Sequence, residues 1–276
     1  MKMEPASASQ ELEQRLGSQN LLALVDKYRG RESKDNFFQR FLVARDSDVE
    51  KAFELLKADL EWRENQNTLQ YHNVPSRRIL EINGSLAGKA MLDTMLPVSY
   101  LGKDRQGRPV IYRKIAAPVD AAKLTKETEM TYEHFVKYNI WILERMTQTM
   151  EDQGQWLSIM DLSEFAFRHL TKLNLQWAKV LADLMKDHYP ERLGKSMLIN
   201  APTVFNMGWA IAKTWLDART KEKVGIFGGE KAWKPEMEKI MDLSILPVEL
   251  GGNARLSFDP HSLDPRTHEA GAPDAN

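Results

Sequence analysis

An α/β fold with a helical segment in front of it is predicted by three features of the sequence. Short apolar runs at Val110 to Ile115, Trp156 to Leu162, Met197 to Ala201 and Lys223 to Phe227 have the length of buried strands. Stretches of helical length separate them, and that alternation implies a mainly parallel sheet with right-handed crossovers. The first third of the chain carries only helical patterns. The segment from Thr203 to Leu216 reads as a helix with two adjacent apolar stripes, where one is usual.

Residues 1–9 are small and polar and are expected to be disordered, ahead of a helical domain spanning 10–82. Glu11 to Tyr28 places Leu12, Leu16, Leu21, Leu22 and Val25 at imperfect helical spacing, broken at Gly17. Lys34 to Arg45 has Phe37, Phe38, Phe41 and Leu42 on one side. Ser47 with Glu50 three residues on reads as a capping box opening a helix that runs to about Glu64. A shorter element is expected over Ser76 to Ile82.

The α/β domain is expected over 88–252. Met91 to Tyr100, around Pro97, reads as an edge strand, and Gly102 to Pro109 as a polar turn. Val110 to Ile115 is the next strand. Lys126 to Met150 is a long helix, Trp156 to Leu162 a strand, and Thr171 to Lys186 a helix. Tyr189 to Lys195 forms a charged turn before the strand at Met197. Lys223 to Phe227 is the last strand and Pro235 to Asp242 the last helix. The tail, 253–276, is rich in Pro, Asp and Asn and is expected to be mobile.

In the Thr203 to Leu216 helix, Val204, Met207, Ile211 and Trp215 form one stripe, and Phe205, Trp209, Ala212 and Leu216 the other. Such a helix is either buried on all sides or is a movable lid with an oily underside. Its flanks favour the lid: Glu191, Arg192 and Lys195 precede it, and Arg219, Thr220, Lys221 and Lys223 follow it. A pocket for an amphiphile needs that division of placed polar groups and oily walls.

Composition narrows the function classes. The 276 residues carry a net charge of −1, so no global field draws the protein to nucleic acid or to an anionic membrane. Absence of cysteine excludes disulfides, thiolate metal sites and cysteine nucleophiles. No apolar run approaches a membrane span, and a cytoplasmic location is expected. Gly84 to Lys89 has one residue too few between its glycines for a phosphate loop, and Ala90 stands where a magnesium-holding hydroxyl belongs. There is no G-x-S-x-G, no G-x-G-x-x-G and no tight histidine spacing. Catalytic residues, a metal site and a dissociable cofactor are therefore not expected.

Several segments together resemble the Sec14-like (CRAL-TRIO) lipid-transfer family. Phe41 to Ala52 and Glu61-Trp62-Arg63 resemble its helical domain. Gly107-Arg-Pro-Val110, Ile159-Met-Asp-Leu162, Tyr189-Pro-Glu-Arg-Leu-Gly-Lys195, Ile199-Asn-Ala-Pro202 and Leu246-Pro-Val-Glu-Leu-Gly-Gly252 resemble its lipid domain in the same order. The resemblance implies a lipid cavity floored by a sheet and closed by the gate helix of Val204, Phe205, Trp209, Ile211 and Trp215.

It also implies ligands. Arg45, Pro109, Glu191, Thr220 and Lys223 match the positions that hold a phosphatidylinositol head group, and a carboxylate for hydroxyls with cations for phosphate suits that chemistry. The second-ligand pocket falls on Tyr100, Ile111, Trp156 and Ser158. There Ile111 replaces a tyrosine and Trp156 a serine, which weakens a phosphatidylcholine site. The implied protein is a monomer with transient membrane contact that transfers or presents phosphatidylinositol, with a phosphoinositide kinase as partner. Two alternatives stay open: a carrier of a tocopherol, retinoid, sterol or squalene-type hydrophobe, and a haem-binding variant.

Overall fold

A computed structural model describes residues 5–72, 98–115, 122, 125–126, 131–148, 150 and 154–254. The expected element at Ser76 to Ile82, the segment Met91 to Pro97 and nearly all of the tail lie outside the described residues.

Four helices build the N-terminal layer: α1 (Pro5–Ser18), α2 (Leu22–Tyr28), α3 (Lys34–Val43) and α4 (Val49–Gln66). The expectation of disorder through residue 9 is corrected, because α1 begins at Pro5 and Ala8 is buried against the layer's core. That core is Leu12, Leu16, Val25, Phe37, Phe38, Phe41, Phe53, Leu56 and Leu60. Ser33 caps α3 by accepting from the Asn36 amide at 3.2 Å. Asp48, not Ser47, caps α4, accepting from the Lys51 amide at 3.1 Å. Ser47 has a φ of +66° and turns the chain between α3 and α4.

The remaining described chain alternates as the sequence predicts: β1 (Val98–Lys103), β2 (Pro109–Lys114), α5 (Tyr132–Gln148), β3 (Trp156–Asp161), α6 (Lys172–His188), β4 (Leu193–Ile199), α7 (Phe205–Ala212), α8 (Ala218–Glu222), β5 (Val224–Ile226) and α9 (Glu230–Glu238). The five strands lie in sequence order, β1 antiparallel to β2 and the others parallel. Parallel neighbours joined in sequence order by right-handed crossovers put every crossover on one face of the sheet. That face carries α5, α6 and α7.

Alternation along the strands divides the two faces. Val110, Tyr112, Leu157, Ile159, Met197 and Ile199 pack against Trp233, Met237, Met241 and Leu246 on the α9 side. Ile111, Trp156 and Tyr100 pack under α5 with Tyr138, Trp141 and Met146.

β4 starts at Leu193, four residues before the expected strand, within what the sequence presents as a charged turn. Gly194 allows it, since a Cβ there would stand 2.9 Å from the Arg108 guanidinium. Arg108 is itself tied to Asp104 at 2.7 Å, and Asp104 also accepts from the Gln106 and Arg108 amides at 2.9 Å each. The Gly107-Arg108-Pro109 segment is thus a braced turn. The last helix begins at Glu230, so Pro235 lies inside it and not at its start.

A buried polar seam joins the two layers. Glu32 accepts from Arg40 and, at 2.9 Å, from Arg192, while Arg40 also donates to the Pro190 carbonyl at 3.0 Å. Nearby, Glu144 accepts from Arg63 at 2.9 Å and from the Tyr189 hydroxyl at 2.5 Å, and pairs with His72 at 2.7 Å. Trp62 stacks on His188 with ring centres 3.6 Å apart.

Candidate functional site

Between the sheet and α5, α6 and α7 lies a cavity of about 650 Å³. Its walls follow from periodicity. On α6, Asn174, Trp177, Ala178, Leu181, Ala182 and Met185 recur every three or four residues and face inward. On α7, Phe205, Gly208, Trp209 and Ala212 do the same, followed by Trp215 and Leu216. The sheet contributes Arg113, Met160, Ser196 and Leu198 from alternate strand positions, and α5 contributes Phe135 and Asn139.

α7 covers the cavity with one face and meets solvent with the other, so it is not buried on all sides. The stripe of Phe205, Trp209, Ala212 and Leu216 turns into the cavity, whereas Met207 and Ile211 on the other stripe are 56% and 44% exposed. Of the residues assigned to the gate, Val204 and Ile211 do not line the cavity, while Phe205, Trp209 and Trp215 do. The lid is seated closely, for a Cβ on Gly208 would lie 2.9 Å from Leu170 Cδ2. Phe165 meets Phe205 edge-on at 5.3 Å. At the lid's start, Asn200 donates to Asp161 at 3.0 Å and accepts from Trp233 at 3.0 Å, which pins the Asn200-Ala-Pro202 turn.

One wall of the cavity is charged. Arg45, from the turn after α3, lines the cavity together with Glu191, from the turn after α6, and with Thr220 and Lys223 from α8 and its end. Lys223 Nζ lies 2.6 Å from Glu191 Oε2. Glu191 has a φ of +57°, a conformation costing a non-glycine residue about 1–3 kcal/mol. The turn is held by Gln155 donating to the Glu191 carbonyl and by Arg40 donating to that of Pro190. Thr220 donates to Asp217 at 2.7 Å, and hydrogen bonds from Thr220 hold the Asp217 carboxyl below the usual range against its partial burial. Arg219 adds a cation beside this group, bonded to Asp46 and to the Val43 carbonyl.

Pro109 is not brought to this wall. It is buried at the start of β2, paired with Lys103, and serves the braced turn. Nor do Tyr100, Ile111, Trp156 and Ser158 line the cavity. Tyr100, Ile111 and Trp156 are buried in the packing beneath α5, where the Trp156 indole and side chains of α5 such as Trp141 and Met146 occupy the volume. Ser158 lies between Ile111 and Ser196 in the same cross-strand row. Many lining residues fall outside the sequence-based site, among them Arg219 and Arg113. Arg219 appears in the sequence only as part of a basic cluster. Arg113 has a legible signal, a charge two residues from both Ile111 and Ile115 on the inward side of an apolar strand.

A sheet-floored apolar chamber with a charged wall and a closing helix defines an α/β domain built to enclose an amphiphile. The chain belongs to the CRAL/TRIO domain family, a lipid-binding and transfer family whose model matches residues 93–252. Among its relatives is the CRAL-TRIO domain-containing protein YKL091C of Saccharomyces cerevisiae, 26% identical over 262 residues that cover 91% of this chain and 81% of the relative. The phosphatidylinositol/phosphatidylcholine transfer protein SFH7 of Arabidopsis thaliana is 28% identical, over 77% of this chain and 38% of its own length. Protein real-time of Anopheles gambiae is 26% identical over 79% of this chain, which spans 31% of that protein. The chain thus spans about a third of the length of several of the curated relatives it matches. The crystal structure of Sfh5 superposes with a TM-score of 0.61 at 16% identity, covering 83% of this chain and 82% of that one, a likeness of fold. Among the described residues no helix is long and apolar enough to cross a membrane, and no group of three potential metal ligands is present.

Proposed function

We propose that this protein binds phosphatidylinositol and transfers it between membranes or presents it at their surface, with a second hydrophobic ligand taking turns in the same chamber. The observation that carries the reading is that Arg45, Glu191, Thr220 and Lys223, from separate turns and helices, line one mostly apolar cavity. Cations there suit a phosphodiester and the carboxylate suits inositol hydroxyls. Lys223 and Glu191 are paired with each other at 2.6 Å, which holds both head-group partners at one place. SFH7 and SFH9 of Arabidopsis thaliana, which are named for transfer of phosphatidylinositol and phosphatidylcholine, support the same class of cargo.

Exchange is gated by α7. Its outward Met207 and Ile211, 56% and 44% exposed, give α7 an apolar outer face suited to a bilayer interface. The inward Phe205, Trp209 and Trp215 then guard the chamber and are not the first residues to meet lipid. A cytoplasmic protein touching membranes transiently, delivering its cargo to a phosphoinositide kinase, is the setting this reading supplies.

The test is vesicle-to-vesicle transfer of phosphatidylinositol by the full chain and by a Thr220→Asp, Lys223→Ala variant. Loss of charge-assisted bonds worth about 1.5–3 kcal/mol predicts at least a tenfold fall in phosphatidylinositol loading. Retention of wild-type transfer by a folded double variant refutes the head-group assignment.

A further inference from the structure

Arg113 is the most conspicuous group that this reading leaves unused. It is 7% exposed, projects from β2 onto the cavity side of the sheet and lines the cavity. Among the described residues its one hydrogen-bond partner is the Met146 sulfur at 3.9 Å, and no carboxylate pairs with it. Every other buried arginine of the seam has an acidic partner: Arg40 and Arg192 share Glu32, and Arg63 has Asp59 and Glu144. A buried, uncompensated guanidinium is among the costliest arrangements in a protein, and burial accordingly lowers the Arg113 pKa. Two more polar groups face the same space. Ser196 is buried on the cavity side of β4 and lines the cavity. Asn139 on α5 spends its amide donor on the Phe135 carbonyl at 2.8 Å.

Position separates this group from the head-group wall. Arg113 lies in register with Met160 and Leu198, and Leu198 with Ile226, whereas Lys223 precedes β5 by one residue. Three residues along the strands and three strand spacings across them place the two backbones about 17 Å apart. The two groups therefore enter the chamber from different strands and different ends of the sheet.

We propose that Arg113 is the counter-ion for an acidic amphiphile, whose carboxylate or phosphate is seated at the far corner of the cavity from Glu191 and Lys223 with its chain along the α6 and α7 walls. This names the chemical class of the second ligand in the carrier reading and rests on that reading. Among the described residues no acid neutralises this charge, and the ligand's acid group supplies the partner. A neutral hydrophobe of the same shape leaves the guanidinium unpaired and binds less tightly.

The test uses lipid-free full-length protein at about pH 8, where a fatty acid bound to a cationic site is ionised. Binding of the fluorescent polyene cis-parinaric acid is compared with that of its methyl ester. Wild type is expected to prefer the acid at least tenfold. Arg113→Met should reduce the preference to within threefold, and Arg113→Lys should restore part of it. Competition then distinguishes the sources. Displacement by oleate but not methyl oleate assigns a free carboxylate, and displacement by phosphatidic acid but not diacylglycerol assigns a phospholipid phosphate.

Equal binding of acid and ester by wild type, or a preference that survives in Arg113→Met, overturns the proposal. Urea unfolding of the lipid-free proteins covers the case of a poorly folded variant. Arg113→Met is expected to be at least as stable as wild type, and a tenfold or larger loss in its unfolding equilibrium shows a guanidinium satisfied by the protein itself and also overturns the proposal. The acid preference should persist in Lys223→Ala, so that failure here and failure of phosphatidylinositol transfer are read separately.

Discussion

Glu144 concentrates the attachment of the helical layer to the lipid domain, and replacing it with glutamine has a calculable cost. Its side chain is 3% exposed and engages Arg63, Tyr189 and His72 together. Burial alone would raise its pKa, yet the Arg63 charge and the bonds from His72 and Tyr189 bring it down to about 2 from an ordinary 4.5. A depressed carboxyl stabilises the fold fully above its unfolded pKa, and that stability is lost as pH falls from about 4.5 toward 2. The shift corresponds to about 3 kcal/mol. Breaking a buried pair from one side typically costs about 3–5 kcal/mol, the same order. Glu144→Gln should therefore lower the unfolding free energy by about 3 kcal/mol near neutral pH, measured by urea denaturation with tryptophan fluorescence. The variant should also lose the part of the acid limb that Glu144 supplies. A cost below about 1 kcal/mol, or parallel acid limbs in both proteins, would show that the seam does not hold the layers together.

The lid yields two further expectations. Met207→Asp with Ile211→Asp should slow transfer between vesicles at least severalfold while changing stability by no more than about 1 kcal/mol, because both sites are solvated; unchanged transfer removes this face from the membrane step. Gly208→Val places methyl groups where Leu170 Cδ2 already stands 2.9 Å from a Cβ. The overpacking should cost about 1–3 kcal/mol and accelerate spontaneous lipid exchange, and a slower exchange would show that the lid is not seated on Leu170.

The order and type of elements were legible because strand-length apolar runs and helix-length amphipathic segments alternate without ambiguity. Boundaries failed where a tertiary contact decides them. Ala8 reads as part of a polar tail until it is seen buried against the other helices, and Gly194 reads as a turn until Arg108 is laid against it. In the candidate site, the family resemblance implied Arg45, Glu191, Thr220 and Lys223, and these four do line one cavity, whereas Pro109 does not. The residues implied for the second ligand do not either, because whether Tyr100, Ile111 and Trp156 face a void depends on the volume of side chains arriving from α5. Arg113 was visible as a charge on an inward strand face, but its isolation from any acid is a property of the folded neighbourhood alone.

Because the strands are ordered as they occur in the chain, the lid spans only the last pair, β4 to β5, and β5 is joined to the rest through three residues, Val224 to Ile226. Displacing α7 therefore perturbs a margin and leaves the central ladders intact. A cover mounted on an outer rail can change its length and outer chemistry without any rebuilding of the vessel beneath.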